Sequence, residues 1–184
     1  MSAPRLKTGS LPATAAIAKC RLTVTQTITA ARTRVLEALV DPGYYQYLGA
    51  QSSAVQAPEL LSASDEGGTI STRVRYAFDG TISGPAAMVV DVDKLTWVIE
   101  TNFDPMTGTG TVVVVPDHYE GMLRCRGTLT LDEGDGETLE TVSGRLEVRV
   151  PLVSRSAEQA IFGGFTRHLE VEAAAMGDYC SGIR

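Results

Sequence analysis

The residues best suited to chemistry are few and widely separated along the chain. His118 stands in "PDHYE" beside Asp117 and Glu120, a grouping that can bind a metal ion or transfer protons, and His168 lies four residues before Glu172. Two histidines so far apart form no HExxH zinc motif. We interpret His118 as a solvated loop residue and His168 with Glu172 as an ordinary helical pair. The sequence therefore predicts no metal site.

Motifs for nucleophilic catalysis and phosphate binding are missing from the sequence. Ser143 and Ser154 lack the G-x-S-x-G turn, and no cysteine is paired with a histidine by any recognisable spacing. "TGTG" lacks the Lys-Ser/Thr pair of a phosphate loop, and "DEGDGE" lacks the ligand spacing of a calcium loop. We therefore predict no catalytic residues and no cofactor, and favour a protein that is not an enzyme.

Composition narrows the class of protein. The chain has 184 residues, of which 43% are apolar and 21% charged, as expected for one globular domain. The net charge of -6 argues against nucleic acid and against anionic lipid as partners. No apolar run approaches the roughly 20 residues of a membrane span. Cys20, Cys125 and Cys180 are too few and too scattered for a disulfide framework, which predicts a cytoplasmic protein.

The first residues differ in character from the rest of the chain. Residues 1–19 are rich in small and polar residues, and their apolar part, "ATAAIA", is too short and weakly hydrophobic for a secretion signal. We predict a disordered tail over residues 1–19 and a single domain over residues 20–184.

Most of the chain has the patterns of β-strands. Residues 20–29, 69–78, 95–103, 122–131 and 142–150 place apolar residues on one face and polar residues on the other, and "TVVVV" is apolar on both. Short turns rich in Gly and Asp separate the later segments. The pattern predicts an antiparallel sheet that is apolar on one face.

Helical spacing is found after the first strand and at the C-terminus. Two short helices are predicted, the first capped by Thr29 and the second by Asp41, with Pro42 at its first position. Pro151 ends the last strand. A capping box of Ser156 and Gln159 then begins a helix that extends to Tyr179. This helix has an apolar stripe that can cover the sheet, formed by Ala157, Ile161, Phe165, Leu169, Ala173 and Met176.

Two motifs resemble those of a known family. "VLEALVDPGYYQYL" at the paired helices and "VRVPLVSRSAEQAI" at the last junction resemble an actinobacterial START-like family classed as a domain of unknown function. The superfamily, also called SRPBCC, includes the birch-pollen allergens and the polyketide cyclases. The resemblance implies an α+β helix-grip fold, in which a curved antiparallel sheet of about six to seven strands wraps around a long C-terminal helix.

The resemblance also implies a cavity between sheet and helix, which relatives use for lipids, sterols, hormones or polyketides. We expect a small hydrophobic molecule, lipid-like or polyketide-like, as the partner. A cyclase or aromatase using the same cavity and a regulatory module with a filled core are the alternatives. The polar candidates are Gln26, Tyr76 and Trp97. The full set of expected lining residues is Val24, Gln26, Ile28, Val74, Tyr76, Phe78, Trp97, Ile99, Leu129, Ile161, Phe165 and Leu169.

Overall fold

The computed structural model describes residues 18–51, 56, 58–79, 91–121, 123–149 and 154–182, with backbone only at 18–20, 148 and 154–162. These residues form seven strands, three α-helices and a short 3-10 helix. In chain order they are β1 (Ala18–Ile28), α1 (Arg32–Leu39), α2 (Pro42–Gln51), β2 (Glu59–Glu66), β3 (Thr69–Ala77), the 3-10 helix (Val92–Lys94), β4 (Thr96–Asp104), β5 (Thr109–Pro116), β6 (Leu123–Glu133), β7 (Thr138–Val148) and α3 (Ser154–Cys180).

The seven strands form one antiparallel sheet. Their order is β1-β7-β6-β5-β4-β3-β2, so the first strand of the chain pairs with the last. Gly127 on β6 lies opposite Gly144 on β7, and the two strands approach closely there. A Cβ on Gly127 would lie 2.5 Å from the carbonyl oxygen of Ser143, and one on Gly144 would lie 2.8 Å from that of Arg126. The predicted helix-grip architecture is confirmed.

β2 is the strand that the sequence patterns did not reveal. It pairs only with β3 and so forms one edge of the sheet. Most of its side chains are exposed on both faces, and only Leu60 and Leu61 are half-buried. An edge strand with little buried surface leaves no alternation of apolar and polar residues to detect.

The paired helices follow β1 as predicted, with one difference in capping. Asp41 Oδ1 accepts the backbone N–H of Gly43 at 2.9 Å, and Pro42 begins α2. The predicted capping role of Thr29 is wrong, because Ala31 occupies the N-cap of α1 and makes no side-chain capping bond. Thr29 instead lies against Gly177 of α3, so closely that no side chain would fit at that glycine.

α3 lies across the concave face of the sheet. It runs without interruption through Gly163 and Gly164, and it buries Leu169, Ala173 and Met176 against the sheet. The predicted strand end at Pro151 and the predicted capping box lie outside the described residues and side chains.

The remaining predictions concern membrane spans, the N-terminal tail, the domain boundary and the location of the protein. No helix in the described part is both long and apolar enough to cross a bilayer. β1 begins at Ala18, and residues 1–17 lie outside the described residues. The tail, the domain boundary at residue 20 and the cytoplasmic location stay predictions.

Candidate functional site

A cavity of about 80 Å³ lies between the concave face of the sheet, α1, α2 and α3. Small-molecule sites are usually about 300–1,000 Å³, and an engineered apolar cavity of about 150 Å³ holds benzene. A ligand with one ring therefore requires side chains or α3 to shift outward. The lining is Ile28, Val35, Leu39, Tyr44, Tyr45, Thr72, Val74, Tyr76, Ile99, Thr101, Val112, Leu129, Leu131, Glu140, Val142, Phe165, Leu169, Glu172, Ala173 and Met176.

The cavity brings together seven of the twelve residues expected to line it. They come from four strands and α3, and all point into the space that the sheet encloses. These seven are Ile28, Val74, Tyr76, Ile99, Leu129, Phe165 and Leu169. Whether they contact a ligand stays a prediction.

Four of the other five expected residues are absent from the lining, and the fifth, Ile161, has no described side chain. Val24 and Trp97 pack against the core from its margin, and the Trp97 ring stacks on Tyr76 with centroids 6.0 Å apart. Phe78 follows the end of β3 and is half-buried. Gln26 faces a surface groove between β1 and α3, and its Nε2 finds no hydrogen-bond partner among the described residues. The side chain of Ile161 lies outside the described residues.

Two carboxyl groups in the cavity were not predicted. Glu140 comes from β7 and Glu172 from α3. The sequence carried a signal for both. Glu140 is two residues before Val142 and so shares its inward face, and Glu172 lies four residues before Met176 on the apolar stripe. A charged residue that keeps the period of a buried face is a candidate site residue.

Glu172 is the centre of a polar cluster formed with Tyr76 and His168. The Tyr76 hydroxyl donates a hydrogen bond to Glu172 Oε1 at 3.0 Å. The rings of Tyr76 and His168 pack edge to face. His168 Nε2 is 3.8 Å from Glu172 Oε2, too far for a hydrogen bond. His168 is only 7% exposed, and neither ring nitrogen has a hydrogen-bond partner among the described residues. The cluster therefore has unused hydrogen-bonding capacity beside the cavity.

Three buried tyrosines also belong to the polar part of the lining. The Tyr44 hydroxyl donates to the backbone carbonyl of Glu172 at 3.3 Å, and that of Tyr45 donates to the carbonyl of Leu39 at 2.8 Å. Burial, followed by the nearby charge of Glu172, raises the pKa of Tyr44, Tyr45 and Tyr76. All three phenols thus remain neutral hydrogen-bond donors at physiological pH.

Few groups near the Glu140 carboxyl could stabilise a negative charge on it. Its strand neighbours in the register are Gln26 on β1 and Leu131 on β6. Burial, and to a smaller extent the charge of Glu172, together raise the pKa of Glu140 to about 8. None of the described lining residues is Lys or Arg. Glu140 therefore carries a proton at neutral pH.

The remaining chemical candidates lie outside the cavity. His118 is exposed in the turn after β5. Within the described residues, no group of three or more His, Cys, Asp or Glu side chains could hold a metal ion. On the convex face, Arg73 pairs with Glu100 at 3.0 Å and Arg75 with Asp117 at 3.2 Å. The polar face of the sheet thus carries ion pairs between neighbouring side chains.

Comparisons with solved structures identify similar folds. The aromatase/cyclase Zhui of Streptomyces sp. R1128 is 15% identical, with a TM-score of 0.61 over 89% of this chain and 94% of that one. A norcoclaurine synthase of Thalictrum flavum is 15% identical, with a TM-score of 0.59 over 91% and 97%. A START superfamily protein of Mycobacterium smegmatis is 12% identical, with a TM-score of 0.52 over 89% and 99%. At these identities the similarity establishes the fold alone.

Comparison with protein families gives a more specific result. No curated protein matches the chain. A family model described as a protein of unknown function (DUF2505) matches residues 23–180, which span β1 to the last turn of α3. The chain therefore belongs to the DUF2505 family, whose fold here is that of the START/SRPBCC superfamily.

Proposed function

We propose that this protein binds a small, largely apolar molecule in the cavity between the sheet and α3. The observation that carries the proposal is the enclosure of apolar side chains from six strands around a few converging polar groups, a composition typical of ligand sites. A norcoclaurine synthase of similar fold has been solved with dopamine and hydroxybenzaldehyde, which supports the capacity of such a fold to hold small aromatic compounds.

The small size of the cavity means that it must enlarge when a ligand binds. Because the present volume is about 80 Å³, a ring-sized ligand enters only if α3 or the side chains that it contributes move away from the sheet. Phe165 and Leu169 lie on the side of α3 that faces the cavity. Their displacement would open the space without breaking a strand pair.

A cavity-filling variant tests the location of the site. Ala173 lines the cavity and is 5% exposed, whereas the adjacent Ala174 is exposed. Ala173→Leu places three further carbon atoms in the cavity, and we expect binding of a neutral one-ring probe, benzyl alcohol, to fall at least about tenfold. Ala174→Leu adds the same atoms outside the cavity and leaves the affinity unchanged.

Saturation-transfer NMR measures both affinities under one set of conditions. The unfolding temperature of each variant shows whether it remains folded. Equal binding by wild type and a folded Ala173→Leu variant would contradict this location of the site.

Acid–base catalysis on the bound molecule is a second candidate function. An enzyme of the cyclase type requires at least two polar side chains that converge deep in the cavity. Glu140, Glu172 and the expected Tyr76 meet this requirement, whereas Gln26, another polar candidate from the sequence, faces a groove outside the cavity. A protonated Glu140 can donate a proton, and the Tyr76 hydroxyl can donate a hydrogen bond to a developing oxyanion. A binding protein would release its ligand unchanged, whereas an enzyme would release a different compound.

A further inference from the structure

We propose that the ligand of this cavity carries a protonated amine, which is held between the carboxyl groups of Glu140 and Glu172. This inference deepens the proposed function and depends on it, because it names the chemical class of the molecule that enters the same cavity. Its basis is the set of side chains that face this space.

The first argument is the imbalance of charge around the cavity. Glu140 and Glu172 reach the lining from opposite sides, one from the sheet and one from α3. The described lining contains no Lys or Arg to pair with them. A buried carboxyl without a cationic partner lowers stability, so its presence on an otherwise apolar face points to a role in recognition. A ligand cation would supply the missing partner.

The second argument is the unused hydrogen-bonding capacity of His168. Its ring is buried, neither ring nitrogen has a hydrogen-bond partner among the described residues, and Nε2 lies 3.8 Å from Glu172 Oε2. A primary ammonium has three N–H donors, which suit two carboxyl groups and one imidazole nitrogen. The charged and titratable groups that line the cavity are Glu140 on β7, Glu172 on α3, Tyr76 on β3 and Tyr44 and Tyr45 on α2. His168 on α3 lies beside them, against Tyr76 and Glu172.

The third argument is the aromatic character of the lining. Tyr44, Tyr45 and Tyr76 present electron-rich rings around the carboxyl groups, and Phe165 adds a further ring from α3. Such rings attract cations and also bury the apolar part of an amphipathic amine. An anionic ligand, by contrast, would face two carboxyl groups and no described Lys or Arg.

Proton release is a specific consequence of this arrangement. A bound ammonium favours the ionised form of Glu140, which otherwise holds its proton at neutral pH. We therefore expect amine binding at pH 7 to release up to about one proton per site, because the carboxyl ionises as the cation enters. A neutral ligand of the same shape would release none.

Benzylamine and benzyl alcohol form the matched pair of probes. We expect wild type to bind the amine at least about tenfold more tightly than the alcohol. Glu140→Gln and Glu172→Gln should each remove that preference, while their affinity for benzyl alcohol stays within about threefold of wild type. Glu170→Gln changes an exposed carboxyl on the same helix and serves as the control. Titration calorimetry in buffers of different ionisation enthalpy gives both the affinity and the number of protons released.

The outcomes separate this inference from the proposed function. Equal affinity of wild type for both probes would overturn the amine assignment and leave the hydrophobic site intact. Binding of neither probe would reject both. An amine preference that persists in both glutamine variants would also overturn the inference, because the carboxyl groups would then not be its source.

Discussion

Replacing Glu140 with glutamine should abolish much of the pH dependence of this protein's stability. The folded protein holds the Glu140 proton up to a pKa of about 8, whereas the unfolded chain releases it near 4.5. Between these values the folded state binds the additional proton, so stability falls as the pH rises. The slope is about 1.36 kcal/mol per pH unit, which gives a loss of roughly 4–5 kcal/mol between pH 4.5 and 8. Below the pKa of Glu140 in the unfolded chain, both states hold the proton and this loss of stability disappears.

Denaturant unfolding at several pH values measures this effect directly. In the Glu140→Gln variant, the free energy of unfolding should no longer fall in this way as the pH rises. The variant should be more stable than wild type, most clearly near pH 8. Glu66→Gln removes a carboxyl that is exposed at the end of β2 and should keep the wild-type slope. If wild type and Glu140→Gln lose stability in parallel from pH 5 to pH 8, Glu140 is solvated and the electrostatic account of the cavity is wrong.

Truncating Leu131 should produce a second large effect. Leu131 is 1% exposed and lines the cavity from β6. We expect Leu131→Ala to lower the free energy of unfolding by about 2–5 kcal/mol, because it removes buried contacts and enlarges an existing void. The larger cavity should also bind benzyl alcohol at least as tightly as wild type does, since less displacement of α3 is then required.

Leu139→Ala is the matched control for this substitution. Leu139 lies on β7 beside β6, but its side chain is 43% exposed. Its truncation should change stability by no more than about 0.5 kcal/mol. A cost below about 1 kcal/mol for Leu131→Ala would mean that the cavity wall collapses around the missing atoms.

The fold could be predicted from the sequence because local patterns and tertiary structure agree along most of the chain. Alternating residues on β1, β3 and β6 place their apolar faces where the structure has the core, and Asp41 with Pro42 begins α2 as expected. β2 gave no such signal, because an exposed edge strand has no buried face. Thr29 is a good capping residue by type, but the close approach of Gly177 gives it another position.

The site was less predictable than the fold, for a different physical reason. Apolar lining residues such as Val74 and Leu129 follow from the strand period, and the structure places both at the cavity. Phe78 has the same period as Val74, but it follows the end of β3 and does not reach the cavity. Glu140 and Glu172 keep the period of the two buried faces, but only the three-dimensional arrangement shows that both line the same cavity.

Native mass spectrometry of the protein purified from its own cells tests the central claim most directly. The sample is measured as purified and again after extraction with organic solvent. The account predicts a discrete additional mass, removed by extraction, that corresponds to a small apolar molecule with a basic nitrogen. The same bare polypeptide mass before and after extraction, together with no binding of benzylamine or benzyl alcohol, would contradict the assignment of the cavity as a ligand site.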